Sequence, residues 1–171
     1  MSERTSEELR PVSFGEKVAA SQNFSMLFRE GMKLVEETAA YLDGPGRQES
    51  KKLDRSASLS YATESMRLTT RLMQLASWLL LHRAVNEGEM SLAQAGKERA
   101  KVKLMSDERP DDLPARLPGR LIDLISRSRK LQDRVRRLDA TIHAPVPTAT
   151  PRHPLENQLG ILRAAFERPL N

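Results

Sequence analysis

Histidine, serine and cysteine side chains would be the first candidates for catalysis or metal binding, and here they form no recognisable motif. His82 has no acidic residue at i+3 or i+4, so the Glu-x-x-His pattern of metal sites in helical bundles is absent. His143 and His153 fall in a proline-rich segment that would not hold them in a fixed geometry. The chain has no cysteine, and no serine lies on a strand-turn-helix elbow. We therefore predict no enzymatic activity, no catalytic residue, no cofactor and no metal.

Basic side chains are the second candidate for function, because they could bind phosphates or an acidic protein surface. The chain has 28 Lys and Arg against 23 Asp and Glu, a net charge of +5. A basic row lies in its C-terminal half: Arg116, Arg120, Arg127, Arg129, Lys130, Arg134, Arg136 and Arg137. One interpretation is a basic helical nucleic-acid-binding regulator that uses the face of Arg129, Lys130 and Arg136. The alternative is a solvated helix face with local acidic partners, and it is favoured because neither interleaved aromatic residues nor helix-turn-helix spacing supports base recognition.

The stretch from Leu72 to Leu81 is apolar almost all the way round a helix and contains the only tryptophan of the chain, Trp78. A surface helix needs one apolar stripe, whereas a helix that is apolar on most sides must be covered from several directions. The stretch is therefore either the central strut of a bundle or a place where a second copy docks. We predict a homodimer with an interface formed by Leu72, Leu75, Trp78 and Leu79.

Apolar residues at three- and four-residue spacings predict three long helices. The first runs from Ser21 to Leu42 and stops at Asp43-Gly44-Pro45-Gly46, before a loop through residues 48–52. The second runs from about Leu53 to Asn86. Its predicted core stripe consists of Leu59, Ala62, Met66, Leu72, Leu75, Trp78, Leu79 and Leu80.

A short helix and a third long helix follow. Ser91 begins the short helix, with Gln94 placed for a capping box, and a loop is predicted for residues 105–114. The third long helix begins near Pro118. Its a/d heptad seam has one polar break and consists of Leu117, Leu121, Leu124, Ser128, Leu131, Val135, Leu138 and Ile142. We predict an all-α fold, an antiparallel three-helix bundle with a short extra helix and a flexible proline-rich C-terminal tail.

The predicted domain organisation is a flexible N-terminal arm at residues 1–20, a helical bundle at 21–142 and a disordered proline-rich tail at 143–171. The tail ends in an apolar motif with helical spacing, formed by Leu155, Leu159, Leu162 and Phe166. This motif could bind a partner groove or fold back on the bundle. The acidic, polar N-terminus has no apolar signal core, and the longest apolar stretch is about half a bilayer span. We expect a soluble cytoplasmic protein with no membrane contact.

Several phrases of the sequence resemble the RcdA family of alphaproteobacteria, whose name abbreviates "regulator of CtrA degradation". They are Leu34–Gly46, Arg67–Leu81, Leu121–Ser128 and Val135–Asp139, and the resemblance covers about residues 12–142. It implies a dimeric three-helix-bundle adaptor with a mobile C-terminal tail. Such a protein would help deliver cargo, including a master cell-cycle response regulator, to the ClpXP protease after a small receiver-domain protein has primed that protease. The leading hypothesis is therefore a non-enzymatic adaptor in regulated proteolysis.

Overall fold

The computed structural model describes the backbone of residues 14–101 and 116–144 and the side chains of residues 20–101 and 116–144. The described residues form five helices and no strand: α1 (Phe14–Asp43), α2 (Pro45–Ser50), α3 (Arg55–Asn86), α4 (Leu92–Lys101) and α5 (Gly119–Ile142). Three long helices and the short α4 confirm the predicted all-α bundle. The chain divides into two compact units, residues 1–141 and residues 142–171. The predicted loop at 105–114 lies outside the described residues.

Helix α1 starts earlier than its apolar spacing indicates. It begins at Phe14 rather than Ser21, so the last part of the predicted N-terminal arm is helical, while residues 1–13 lie outside the described part of the chain. It ends at Asp43, next to the predicted stop. Its buried residues recur at alternating spacings of three and four, which gives the helix one continuous core face: Phe24, Leu27, Gly31, Leu34, Thr38 and Tyr41.

Helix α2 replaces the predicted loop after α1. The chain turns at Gly44 and a new helix starts, because a proline in the first turn of a helix needs no amide hydrogen bond. Gly46 packs so closely on α3 that a Cβ there would lie 2.6 Å from the Tyr61 hydroxyl oxygen. The Tyr41 hydroxyl donates a hydrogen bond of 2.6 Å to Glu49, and burial together with this bond raises the pKa of Tyr41. Helix α2 thus joins the end of α1 to the start of α3.

Side-chain caps fix the starts of α3 and α4. The Asp54 carboxylate accepts a hydrogen bond of 2.8 Å from the Ala57 amide at the start of α3. At the start of α4 the Gln94 amide donates to the Ser91 hydroxyl and the Ser91 amide donates to the Gln94 side chain, both at 3.1 Å. The predicted capping box is confirmed.

Helix α1 is antiparallel to both α3 and α5. Phe24, in the first half of α1, packs on Trp78, near the end of α3, with ring centroids 6.3 Å apart. Two ion pairs join α1 to α5: Glu37 with Arg127 and Glu30 with Arg134. The later residue of α1 pairs with the earlier residue of α5, as antiparallel helices require.

Helices α3 and α5 consequently run in the same direction. The Arg71 guanidinium donates a hydrogen bond to the Ser128 hydroxyl, and the Trp78 indole donates one to the Asp139 carboxylate further along both helices. No helix in the described part of the chain is long and apolar enough to cross a bilayer.

The contact between α1 and α3 is close at Gly31, and this gives a first prediction. A Cβ at Gly31 would lie 2.4 Å from the Leu79 Cδ1 atom, and Leu79 is fully buried. We expect Gly31→Val to lower the free energy of unfolding by about 1–3 kcal/mol, because overpacking forces neighbours out of their rotamers. Urea unfolding followed by circular dichroism measures the change.

The matched control for this prediction is Gly96→Val in α4. A Cβ at Gly96 meets nothing within 4 Å, so this variant is expected to stay within about 0.5 kcal/mol of the parent chain. Equal unfolding midpoints for the two variants would contradict the close approach of α1 and α3.

Candidate interaction surfaces

The four residues predicted to form a dimer interface are core residues of a single chain. Leu72 is 4% exposed, Leu75 and Trp78 are 1% exposed and Leu79 is fully buried. The assignment of these side chains to a surface was therefore wrong, because α1 and α5 together cover them. The homodimer itself stays a prediction, and it needs another surface.

Trp78 lies where helices α1, α3 and α5 meet. Its indole N–H donates a hydrogen bond of 2.9 Å to the Asp139 carboxylate on α5. The His82 ring stacks on the indole with centroids 3.9 Å apart, and its Nδ1–H donates to the Trp78 carbonyl oxygen at 3.0 Å. His82 is therefore a buried core residue of α3.

Asp139 also holds α4. Its two carboxylate oxygens accept hydrogen bonds from the Arg99 guanidinium in a bidentate ion pair. The interaction with Asp139 raises the pKa of Arg99. The carboxylate is buried, and the pairing with Trp78 and Arg99 offsets the cost of removing its charge from water.

Three arginines of the basic row make ion pairs with other parts of the bundle. The Arg127 guanidinium makes a bidentate pair with Glu37 of α1, at 2.8 and 2.9 Å. Arg134 pairs with Glu30 of α1. Beyond the N-terminal end of α5, Arg116 pairs with Asp54. These arginines connect the long helices, and this supports the structural interpretation of the row over the nucleic-acid one.

The proposed basic face itself is only partly open to solvent. Lys130 is exposed, whereas Arg129 and Arg136 are half-buried. Arg120 lies over the Tyr41 ring, with its guanidinium carbon 5.6 Å from the ring centroid. The three residues do not form one exposed basic surface.

An exposed apolar stripe runs along α3 at seven-residue intervals, and the sequence analysis assigned most of it to the core. It consists of Leu59, Met66, Met73 and Leu80, which are 70%, 71%, 66% and 53% exposed. The exposure of Leu59, Met66 and Leu80, and of Ala62 beside them, shows that the predicted core stripe was wrong at these positions. The seven-residue spacing of the exposed stripe was the sequence signal that could have separated it from the core. The buried residues of α3 are instead spaced four, three and four apart: Leu68, Leu72, Leu75 and Leu79.

Two grooves lie between α1 and α3, and the smaller one is lined mainly by apolar residues. One cavity of about 340 Å³ is lined by residues of both helices, including Val35, Leu42, Met73 and Ala76. A larger open groove of about 580 Å³ lies nearer the end of α3, with Phe28 and Met32 on its α1 side. Such grooves bind apolar side chains of another helix. The predicted tail motif, Leu155, Leu159, Leu162 and Phe166, lies outside the described residues.

Comparison with known proteins gives the family. The model of the family described as "Protein of unknown function (DUF1465)" matches residues 15–166. The solved structure of RcdA from Caulobacter crescentus CB15 is 51% identical, covers 72% of this chain and 92% of its own chain, and superposes with a TM-score of 0.59. The chain belongs to the RcdA family. Curated proteins give no match.

The match to RcdA supports an adaptor-like role. In the described part of this RcdA-family chain, Leu72, Leu75, Trp78 and Leu79 are buried in the bundle, whereas Lys130 of the suggested basic face is exposed.

The network around Asp139 generates a second prediction. Asp139→Ala leaves the Trp78 indole and the Arg99 guanidinium without their shared acceptor, and we expect a loss of about 2–4 kcal/mol in the free energy of unfolding. Because Trp78 is the only tryptophan, its fluorescence reports the unfolding directly. Asp123→Ala is the control, since its contact to Arg127 is long at 3.4 Å and exposed, and should cost less than about 1 kcal/mol. Equal costs for both variants would contradict the network.

The pair between Glu37 and Arg127 generates a third prediction, on pH dependence. The hydrogen bond from Arg127, more than its charge, lowers the pKa of Glu37 below its usual 4.5. A carboxyl group whose pKa is lowered in the folded state contributes its stability above the unfolded pKa and loses it as the pH falls through the folded pKa.

We therefore expect Glu37→Gln to be less stable than the parent chain at pH 7, by up to about 1 kcal/mol for a partly exposed pair. The difference should shrink as the pH falls below 4.5, the usual pKa of a glutamate side chain. Urea unfolding at pH 7, 5 and 3.5 measures it. Glu36→Gln, at the exposed neighbouring position, is the control, and a difference as large at pH 3.5 as at pH 7 would refute the assignment.

Proposed function

We propose that the chain is a non-enzymatic adaptor that helps deliver substrate proteins to the ClpXP protease in the cytoplasm. The observation that carries the proposal is the 51% identity to RcdA across 72% of the chain. A cell-cycle response regulator is the proposed type of cargo, and a receiver-domain protein that primes the protease is the proposed second partner.

The mechanism is an increase in effective concentration. An adaptor that binds the primed protease through one contact and the cargo through another turns the second encounter into an intramolecular one. No bond is made or broken on the adaptor, which is consistent with side chains that serve packing and ion pairing in the described helices. The rigid part of this arrangement is the bundle of α1, α3 and α5.

The C-terminal segment is proposed to supply one of the contacts. Its apolar residues, Leu155, Leu159, Leu162 and Phe166, recur at intervals of four, three and four along the sequence. This spacing would place them on one face if the segment becomes helical on a partner. The family model extends to residue 166, so the segment is part of what the family shares in sequence.

A reconstituted degradation assay tests the proposed function. Cargo, ClpXP and the receiver-domain primer are held constant while the chain is titrated. Because a tether in excess occupies cargo and protease separately, we expect the rate of cargo loss to rise, pass through a maximum and fall. A flat response would overturn the adaptor role, and a rise to a plateau without a fall would point to an allosteric activator instead.

Tail variants locate the contact within the same assay. Leu159→Lys with Leu162→Lys is expected to lower the maximal rate several-fold, because two charges would have to be buried in an apolar groove. Gln158→Lys adds a charge at a neighbouring polar position and should leave the rate unchanged. Equal rates for both variants would remove the tail from the proposal and leave the bundle surfaces as the contact.

A further inference from the structure

The cavity of about 340 Å³ between α1 and α3 lies between two places where the chain packs closely on α3. At one end a Cβ on Gly31 would come within 2.4 Å of the Leu79 side chain, and at the other a Cβ on Gly46 would come within 2.6 Å of the Tyr61 hydroxyl oxygen. Close packing at both ends fixes the distance between the helices, and a packed interior resists compression. The cavity is therefore a constructed part of the fold.

The size and the lining of the cavity suit a small molecule. Pockets that bind small molecules have volumes of about 300–1,000 Å³ and apolar walls with a few polar groups that fix the orientation of the ligand. This cavity is at the small end of that range, and its polar lining residues are Thr38, Asp43 and Thr69. Its apolar lining residues are Val35, Ala39, Leu42, Leu72, Met73 and Ala76.

One polar group of this lining lacks a hydrogen-bond partner. Thr38 is 3% exposed, and its hydroxyl makes no hydrogen bond within the described part of the chain. Other helical threonines differ, since the hydroxyls of Thr63, Thr69 and Thr141 donate to the carbonyl oxygen four residues earlier, at 2.8–3.0 Å. A buried hydroxyl without a partner costs free energy, and a ligand with a polar atom beside Thr38 would remove that cost.

The end of the cavity at the C-terminus of α1 is negatively charged. Asp43, the last residue of α1, is exposed and lines this end. The C-terminus of a helix carries a partial negative charge that favours cations, yet the last turn of α1 has no basic residue. Within the described residues, Asp43 makes no ion pair. A cation bound here would interact with the carboxylate and with the helix terminus, whereas an anion would be repelled by both.

We propose that this cavity binds a small, apolar amine. The ammonium group of the ligand pairs with Asp43, its apolar body lies between α1 and α3, and a polar atom within that body bonds to Thr38. Because Thr38 and Asp43 are about 7.5 Å apart along the helix axis, at 1.5 Å per residue, the ligand is elongated. An aromatic amine with one hydroxyl group on its ring has these three parts in this order. The site does not depend on the adaptor role, so its failure would leave the proposed function standing.

Nuclear magnetic resonance of labelled methionine methyl groups tests the site in the full chain. Tyramine is the probe, and it is compared with phenethylamine, which lacks the hydroxyl, and with phloretate, which has a carboxylate in place of the amine. Met73 lines the cavity and reports binding, and Met73→Leu identifies its resonance. Met26, on α1 but outside the cavity, is 65% exposed and reports non-specific effects. We expect tyramine to shift the Met73 resonance in a saturable way and to leave the Met26 resonance in place.

The order of the three affinities tests the chemistry of the ligand. Tyramine is expected to bind at least about fivefold more tightly than phenethylamine, because only tyramine offers a partner to the Thr38 hydroxyl. It is expected to bind at least about tenfold more tightly than phloretate, because Asp43 attracts the amine and repels the carboxylate. The absence of a saturable Met73 shift with tyramine would overturn the proposal. Equal affinities for all three compounds would indicate an unspecific apolar groove, such as one for a side chain of another protein, and would also overturn it.

Two variants of nearly unchanged shape assign the polar contacts. Thr38→Val removes only the hydroxyl and should abolish the preference for tyramine over phenethylamine while phenethylamine binds as before. Asp43→Asn should weaken both amines and reduce the difference from phloretate. Both variants are expected to fold, because the Thr38 hydroxyl has no described partner to lose and Asp43 is exposed. Circular dichroism checks this.

Glu36→Gln is the matched control for Asp43→Asn. It removes another exposed carboxylate of α1 that does not line the cavity. This variant should bind tyramine with the affinity of the parent chain. Equal weakening by Asp43→Asn and Glu36→Gln would reveal a general effect of charge and would refute the assignment of the amine to Asp43.

Discussion

The burial of Trp78 is the constraint on which the rest of the bundle depends. An indole brings a large apolar surface and one N–H donor, and a buried donor without an acceptor costs free energy. Asp139 supplies the acceptor from α5, Phe24 packs on the ring from α1, and Arg99 of α4 neutralises the carboxylate. One aromatic side chain thus sets the positions of the other helices at this level of the bundle.

The direction of α5 follows from the same constraint. Its polar residues meet α3 in order along both helices, with Ser128 on Arg71 and Asp139 on Trp78, so the two helices must be parallel. Apolar side chains alone would not specify this direction, because leucine seams pack in either orientation. Buried polar contacts are satisfied only when donor and acceptor coincide, and this makes them specific.

The helices could be predicted from the sequence because their signals are local. Spacings of three and four residues, the Ser91 and Gln94 cap and the break after Asp43 lie within a few residues of the boundaries that they determine. Helix α2 could not be predicted in this way. Pro45 and Gly46 end one helix but are compatible with either a loop or a new helix after it. The close contact of Gly46 with Tyr61, fifteen residues later, favours the helix.

Which face of α3 is exposed could not be predicted from the sequence for a related reason. A helix that is apolar on most sides carries several stripes of similar hydropathy, and hydropathy cannot say which of them its neighbours will cover. Gly31 of α1 leaves room for Leu79, so the stripe that contains Leu79 is covered by α1. On the α5 side, Ser128 binds Arg71 and Asp139 binds Trp78, so these residues also face the core. Once these contacts are made, Leu59, Met66, Met73 and Leu80 are left outside.

Charge and apolar surface have separate roles in this molecule. Arg127 and Arg134 of α5 are bound to carboxylates of α1, and these pairs hold helices together within one chain. Because these two arginines are paired, their charges contribute less to any attraction of nucleic acid. The exposed face of α3 carries one charged side chain, Arg67, which pairs with Glu64 of the same helix. Binding to this face would therefore depend mainly on shape and apolar complementarity.

For an adaptor, this separation has a physical advantage. The neutral face of α3 can bind and release a partner without burying unpaired charges. The ion pairs between α1 and α5 could not open in this way without exposing the core of the bundle. The ion pairs between α1 and α5 would preserve the fold while the neutral face of α3 binds and releases a partner.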